Sequence, residues 1–290
     1  MTPTVAVVGH VEQVEFCVVD RLPQAGEIAH ATHAFTEAAG GGAVAVVQMR
    51  KLAGEAAFFT ALGSDDVARA VQGDLERHGV TVHAARRERP HRRCFTHLDA
   101  HGERTITVIG ERIVPRGDDP LPWDELQGHD AVYLTLADAE AVRKARAAKV
   151  LVATVRAIDA LVEADDVELD ALVLSAADPS EQHDLTRLRR PPRAIIRTEG
   201  ADGGEYTLKD GTTGRWEATA PPGPTVDAYG CGDSFAAGLA FALGAGRTLD
   251  DALRLAARCG AHCLTGRGPY AAQLEEEAPA QPPSARRSAS

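Results

Sequence analysis

Residues 227–235 read Asp227-Ala228-Tyr229-Gly230-Cys231-Gly232-Asp233-Ser234-Phe235 and run directly into the small-residue pattern AAGLAFALGAG. A Gly-x-Gly turn that opens a helix leaves the first backbone N–H groups without intrahelical acceptors. Together with the positive end of the helix dipole they form an anion site. Asp233 follows that turn at once. A carboxylate set against a bound phosphate repels it, so the pattern makes chemical sense when Asp233 accepts the proton of an attacking hydroxyl. The simpler reading is structural, with Gly230 and Gly232 forming a tight turn and Asp233 a first-turn carboxylate favoured by the dipole. The remainder of the chain decides between the two.

Upstream, the β-branched run 4–8 ending at Gly9 predicts a buried strand. Weak alternation around Pro23 and Gly26 over 11–35 predicts a short strand, a turn and a return strand. Gly40-Gly41-Gly42 precedes a segment apolar on all sides, a buried helix over 43–52 that ends at Gly54. A strand over 56–61 and a helix over 67–78, capped by Ser64-Asp65-Asp66 and closed by Gly79, come next. Two alternating segments, 94–99 and 103–109, flank the turn Asp99-Ala100-His101-Gly102 as a hairpin. Strands at 131–134, 150–154, 171–174 and 194–197 then alternate with helices at 139–148 and 181–188. That succession predicts an α/β fold, a mostly parallel sheet between helices, with ligands at the carboxyl ends of its strands. A second hairpin over 204–217 and helices over 232–243 and 249–265 complete the pattern.

The composition narrows the function. A formal charge of −11 without clustered Lys/Arg argues against a nucleic-acid partner. The pairs Arg86-Arg87, Arg92-Arg93 and Arg189-Arg190 read as solvated surface. No run approaches the roughly 20 apolar residues of a membrane span, and the start MTPTVAVVGH has no basic segment before its apolar residues. Five cysteines, an odd number, carry no CxxC pair. They predict reduced thiols and a cytoplasmic setting. Cys259, His262 and Cys263 share one helical turn, where small core residues are the commoner reading than a metal site.

The stretch 227–235 resembles the Asp-Thr-x-Gly-Ala-Gly-Asp signature of the ribokinase-like (PfkB-type) carbohydrate kinases, with Ala228 in place of the Thr and Cys231 in place of the Ala. GGGAVAVVQMRKLAG over 40–54 resembles the amino-terminal signature of the same family, and Thr198-x-Gly200-x-x-Gly203 its nucleotide segment. All three stand in the family's order. The resemblance implies a ribokinase-like three-layer fold over residues 1–272. Its small β lid would come from 11–36 and 92–110, and a Pro/Ser/Ala-rich tail over 273–290 is expected to be disordered.

It further implies transfer of the ATP γ-phosphate to a hydroxyl of a sugar-like molecule. Asp233 would be the base and Gly230, Cys231 and Gly232 the anion hole. Asp227 would organise the loop and its cations, with room for a monovalent one, and Thr198, Gly200 and Gly203 would contact nucleotide. Gly41 and Gly42 would bring backbone to the sugar, and Arg104 on the hairpin would reach the site or a partner lid in a homodimer. Ser175-Ala176-Ala177-Asp178 aligns with the family's Asn-x-x-Glu, which makes Asp178 the carboxylate that supports Mg²⁺ through water; an ordinary Asp-Pro turn reads equally well. The usual sugar-binding Asn and Asp fall on Ala45 and Val14, so His10 and Glu12 are the candidates to replace them. Two alternatives remain open: a nucleoside kinase, whose base platform would have to come from Phe16, Phe35, Phe58, Phe59 or Phe95, and a catalytically idle sensor.

Overall fold

The computed structural model describes residues 2–100 and 104–275. Its strands, in chain order, are β1 (Val5–Val8), β2 (Glu12–Val18), β3 (His33–Ala39), β4 (Ala57–Leu62), β5 (Thr81–Arg86), β6 (Arg93–Leu98), β7 (Arg104–Ile109), β8 (Ala131–Leu134), β9 (Val150–Thr154), β10 (Ala171–Ser175), β11 (Ala194–Thr198), β12 (Gly204–Leu208) and β13 (Thr213–Trp216). The helices are α1 (Gly41–Ala53), α2 (Asp66–Arg77), α3 (Ala139–Ala145), α4 (Ile158–Glu163), α5 (Cys231–Gly244) and α6 (Leu249–Cys263).

Nine strands form one sheet in the order β13-β12-β11-β10-β9-β8-β1-β4-β5, parallel except for the β11-β12-β13 hairpin edge. Burial on both faces follows from the twofold period of a strand. In β1, Val5 and Val7 enter one core with α1, α2, α5 and α6, while Ala6 and Val8 enter a second core with α3 and α4. The result is the three-layer α/β architecture that the pattern predicts.

The remaining strands build a separate four-stranded sheet, β3-β2-β6-β7. Here β2 pairs antiparallel with β3 and parallel with β6, in register from Gln13↔Arg93 to Val18↔Leu98. This is the expected small lid, although the tip of its hairpin, 101–103, lies outside the described residues, as does most of the 273–290 tail. The inner face packs down through Phe16, which stacks on Phe35 at 4.7 Å and meets Tyr229 edge-on at 5.0 Å.

One local expectation changes, and two elements appear that the pattern did not show. Residues 181–188 do not form a helix; they make 3-10 turns at Pro179–Glu181 and Leu185–Arg187. The reason is local: Asp178 and Asp184 each accept from the N–H two residues on, which closes tight turns in competition with a helix. Strand β5 lies at the sheet edge with mostly half-buried residues, and α4 is six residues long. Neither leaves a clear periodic signal in the sequence. Cys259 and Cys263 lie on α6 and are buried.

Candidate active site

A cleft opens at the carboxyl ends of β8, β9, β10 and β11 against the amino end of α5, where strand-end Tyr133, Thr154, Ser175 and Thr198 face Gly232 and Asp233. Gly230 caps α5 in the left-handed region at φ 82, a conformation glycine adopts at no steric cost. A Cβ there would also stand 2.9 Å from Val44 of α1. The first intrahelical bond runs from Ser234 N–H to the Gly230 carbonyl. The N–H groups of Cys231, Gly232 and Asp233 therefore have no acceptor within the helix. Nothing lies within 4 Å of a Cβ built on Gly232, which lines the cleft.

The loop before them is fixed by Asp227, which is buried: one carboxylate oxygen accepts from Tyr229 N–H at 2.8 Å and the other from Gly268 N–H at 3.0 Å. Asp233 sits in the first turn of α5 with its carboxylate 3.3 Å from Nη1 of Arg156. Arg156 in turn lies 2.7 Å from Glu181, whose second oxygen accepts from Ser175 N–H at 2.7 Å. Asp233, then Glu181, hold the Arg156 guanidinium above its ordinary basicity. Burial pushes the Tyr133 hydroxyl far upward, so the phenol beside them stays neutral.

The two amino-terminal glycines meet this group from α1. A Cβ on Gly41 would approach Asp233 Oδ1 to 2.9 Å, and one on Gly42 would strike the His10 carbonyl at 2.6 Å. Glycine at both positions is what allows the helix start to approach so closely. His10 and Glu12 are both buried at the foot of the lid, with Nε2 and Oε1 3.9 Å apart. Glu12 is engaged further by Arg92, whose Nε lies at 2.6 Å, and by the Cys94 thiol, which donates at 2.9 Å. Burial, then the Glu12 bond, push that thiol up to about 12. Burial and three arginines press His10 down to about 3, so its imidazole is neutral.

At the far end of the cleft, Thr198 ends β11 and its hydroxyl donates to the Leu174 carbonyl at 3.4 Å. Gly200 and Gly203 both take positive φ, 59 and 78, in the turn that follows. Arg104 of the lid donates to the Ala228 carbonyl at 3.2 Å, which joins β7 to the loop before α5. Asp178 stands apart from the Arg156 cluster: its Oδ1 accepts from both the N–H and the hydroxyl of Ser180. The sequence reading passed over Arg156 and Glu181, and treated Arg92 as surface. Glu181 is 3% exposed, and a buried carboxylate is the signal that no single-residue inspection supplies.

The profile of the pfkB family of carbohydrate kinases matches residues 2–156 and 145–276. The chain belongs to that family. Among relatives, acarbose 7(IV)-phosphotransferase of Actinoplanes sp. is 36% identical over 103 residues, which is 35% of this chain and 34% of that enzyme. The match thus spans about a third of the curated relative. Among solved structures, a microbiome-derived acarbose kinase superposes with TM-score 0.77 at 19% identity, covering 94% of this chain and 96% of the other. Ribokinase of Arabidopsis thaliana, solved with ribose and ATP, superposes with TM-score 0.73 at 21% identity, covering 94% and 96%. This pfkB-family fold therefore extends over nearly the whole chain. No helix among its described residues is long and apolar enough to cross a membrane.

Proposed function

We propose that the chain moves the γ-phosphate of ATP to a hydroxyl of a sugar or sugar-like molecule. The observation that carries this is the placement of Asp233, in the first turn of a helix whose leading amides have no acceptor, beside the cleft and the glycine start of α1. Asp233 takes the proton of the attacking hydroxyl, and the amides of 231–233 stabilise charge on the phosphoryl group in transfer. Arg156 holds the carboxylate in place and keeps a positive charge next to it. Thr198, Gly200 and Gly203 contact the nucleotide. Gly41 and Gly42 admit the acceptor closely to the base, and the lid excludes water.

Mg²⁺ bound with ATP would neutralise charge on the phosphates. The residues fit a water-mediated role: Asp178 keeps its second carboxylate oxygen without a hydrogen-bond partner among the described residues, and such ions take few protein ligands. Asp178→Ala is expected to raise the Mg²⁺ concentration for half-maximal activity several-fold with the fold intact. An unmoved Mg²⁺ dependence assigns Asp178 to its turn alone. Asp227, already bonded to two backbone amides, would order any monovalent cation only through the loop it holds.

Of the aromatic residues that could stack on a nucleoside base, Phe16, Phe58 and Phe59 are fully buried in the cores, which leaves the half-buried Phe35 and Phe95 of the lid. A panel of pentoses, hexoses, sugar acids, sugar phosphates, acarbose and nucleosides in an ADP-release assay tests the reading. Sugar-dependent ADP release is expected. ATP binding with no acceptor turned over would favour the sensor.

A further inference from the structure

Of three arginines on the acceptor side of the cleft, two are paired with carboxylates and one is not. Arg92 lies 2.6 Å from Glu12, and Arg156 lies between Glu181 and Asp233 at 2.7 Å and 3.3 Å. Arg112 has no such partner among the described residues; its one hydrogen bond is made by its backbone carbonyl, which accepts from Arg89. The residue follows the lid directly, after β7 and the positive-φ turn at Gly110, and is fixed in place by the buried Ile113 behind it. Its side chain is nevertheless solvent-accessible, so a ligand can reach it.

Arg112 is not a distant surface charge. The fold carries it next to Arg92: Arg93 pairs with Ile109 across β6 and β7, a Cβ on Gly110 would lie 3.9 Å from the Arg92 Cα, and Arg92 shares Glu12 with His10. Arg112, Arg156 and Arg92 all lower the basicity of the His10 imidazole. Three guanidinium groups gathered around one small space repel each other. Glu12 pairs with Arg92 and two carboxylates flank Arg156, so the three arginines and three carboxylates cancel in sum while Arg112 alone has no carboxylate in contact among the described residues. A second observation concerns His10 itself, a residue 7% exposed: its Nδ1 is buried with no hydrogen-bond partner among the described residues. A buried ring nitrogen without a partner costs free energy that a bound ligand can recover.

Resting on the phosphotransfer reading, we infer that the acceptor is acidic: a polyhydroxylated molecule bearing a carboxylate or phosphate that pairs with Arg112, with His10 bonding a neighbouring oxygen. The planar fork of arginine suits both anions. The same assignment explains why Val14 and Ala45, fully buried and apolar, leave the usual sugar contacts unmade. Recognition has moved from that part of the lid floor to the strand-end arginines.

Calorimetry on the full chain with paired probes tests the inference: gluconate against sorbitol, glucuronate against glucose, and fructose 6-phosphate against fructose. One acidic member is expected to bind about 10- to 100-fold more tightly than its neutral counterpart, as a charged hydrogen-bonded pair predicts. Arg112→Gln should bring the pair within about threefold, and Arg112→Lys should keep part of the preference. The carboxylate and phosphate pairs identify the anion. If no acidic probe outbinds its partner, or if Arg112→Gln leaves the preference intact, the acidic acceptor is overturned. ADP release measured in parallel separates the two readings. Neutral sugars phosphorylated without acid preference remove the acidic acceptor and leave the kinase, whereas acid-selective binding without ADP release keeps the site and removes the kinase.

Discussion

In the proposed reaction Asp233 carries the chemistry, because its carboxylate lies in the first turn of α5 and against the glycine start of α1. Asp233→Asn is nearly isosteric but cannot accept a proton. It is expected to lower kcat by roughly 10²–10⁴ while ATP affinity stays within a few-fold. Wild-type turnover by this variant with an identified acceptor would refute the base assignment. A second carboxylate, Glu37 on β3, behaves oppositely: its Oε2 is buried without a partner, and burial, then Asp74 and Asp227, raise it to about 7. A raised carboxyl is favoured in its protonated form. Its stabilising contribution is complete below the unfolded value of 4.5 and is lost as pH rises through about 7. Glu37→Gln should therefore match wild type near pH 5 and exceed it by about 1–2 kcal/mol at pH 8, after discounting for partial exposure. Thermal melts across that range, with a difference that does not grow with pH, would contradict the burial argument.

At the scale of elements, function depends on how the lid meets the loop before α5. Two contacts join them: Phe16 against Tyr229, and Arg104 of β7 donating to the Ala228 carbonyl. The aromatic pair is apolar and buried, so it fixes the hinge side, while the Arg104 bond is single and exposed. Arg104→Ala should leave stability nearly unchanged and raise KM for the acceptor several-fold more than KM for ATP. Equal effects on both substrates, or none, would reduce Arg104 to a surface charge. That a lid hairpin exists was legible from the alternation around Asp99 and Ala100. Its parallel seam with β2 was not, because parallel pairing joins segments about 80 residues apart and leaves no local trace.

For the whole molecule, β7 is the open edge of the lid sheet and exposes Ile106, Val108 and Ile109, each more than 40% accessible. An edge strand with apolar residues invites pairing with a second copy. We propose a homodimer through this edge. Light scattering should show the dimer mass, reduced to the monomer by Val108→Lys; a wild-type monomer at micromolar concentration would exclude it. The chain by itself determined the order of strands and helices and the glycine signatures, because the twofold and 3.6-fold periods and positive-φ turns are local properties. It placed Asp233, Asp227 and the glycines 41, 42, 230 and 232 in one site through a resemblance of motifs. Only the tertiary structure brought Arg156 from the end of β9 to Glu181 beyond β10, and Arg92 from the start of β6 to Glu12 of β2. A charged residue's sequence neighbours do not say whether it faces solvent or a carboxylate. Sheet register decides that, and register is set by pairing between distant segments.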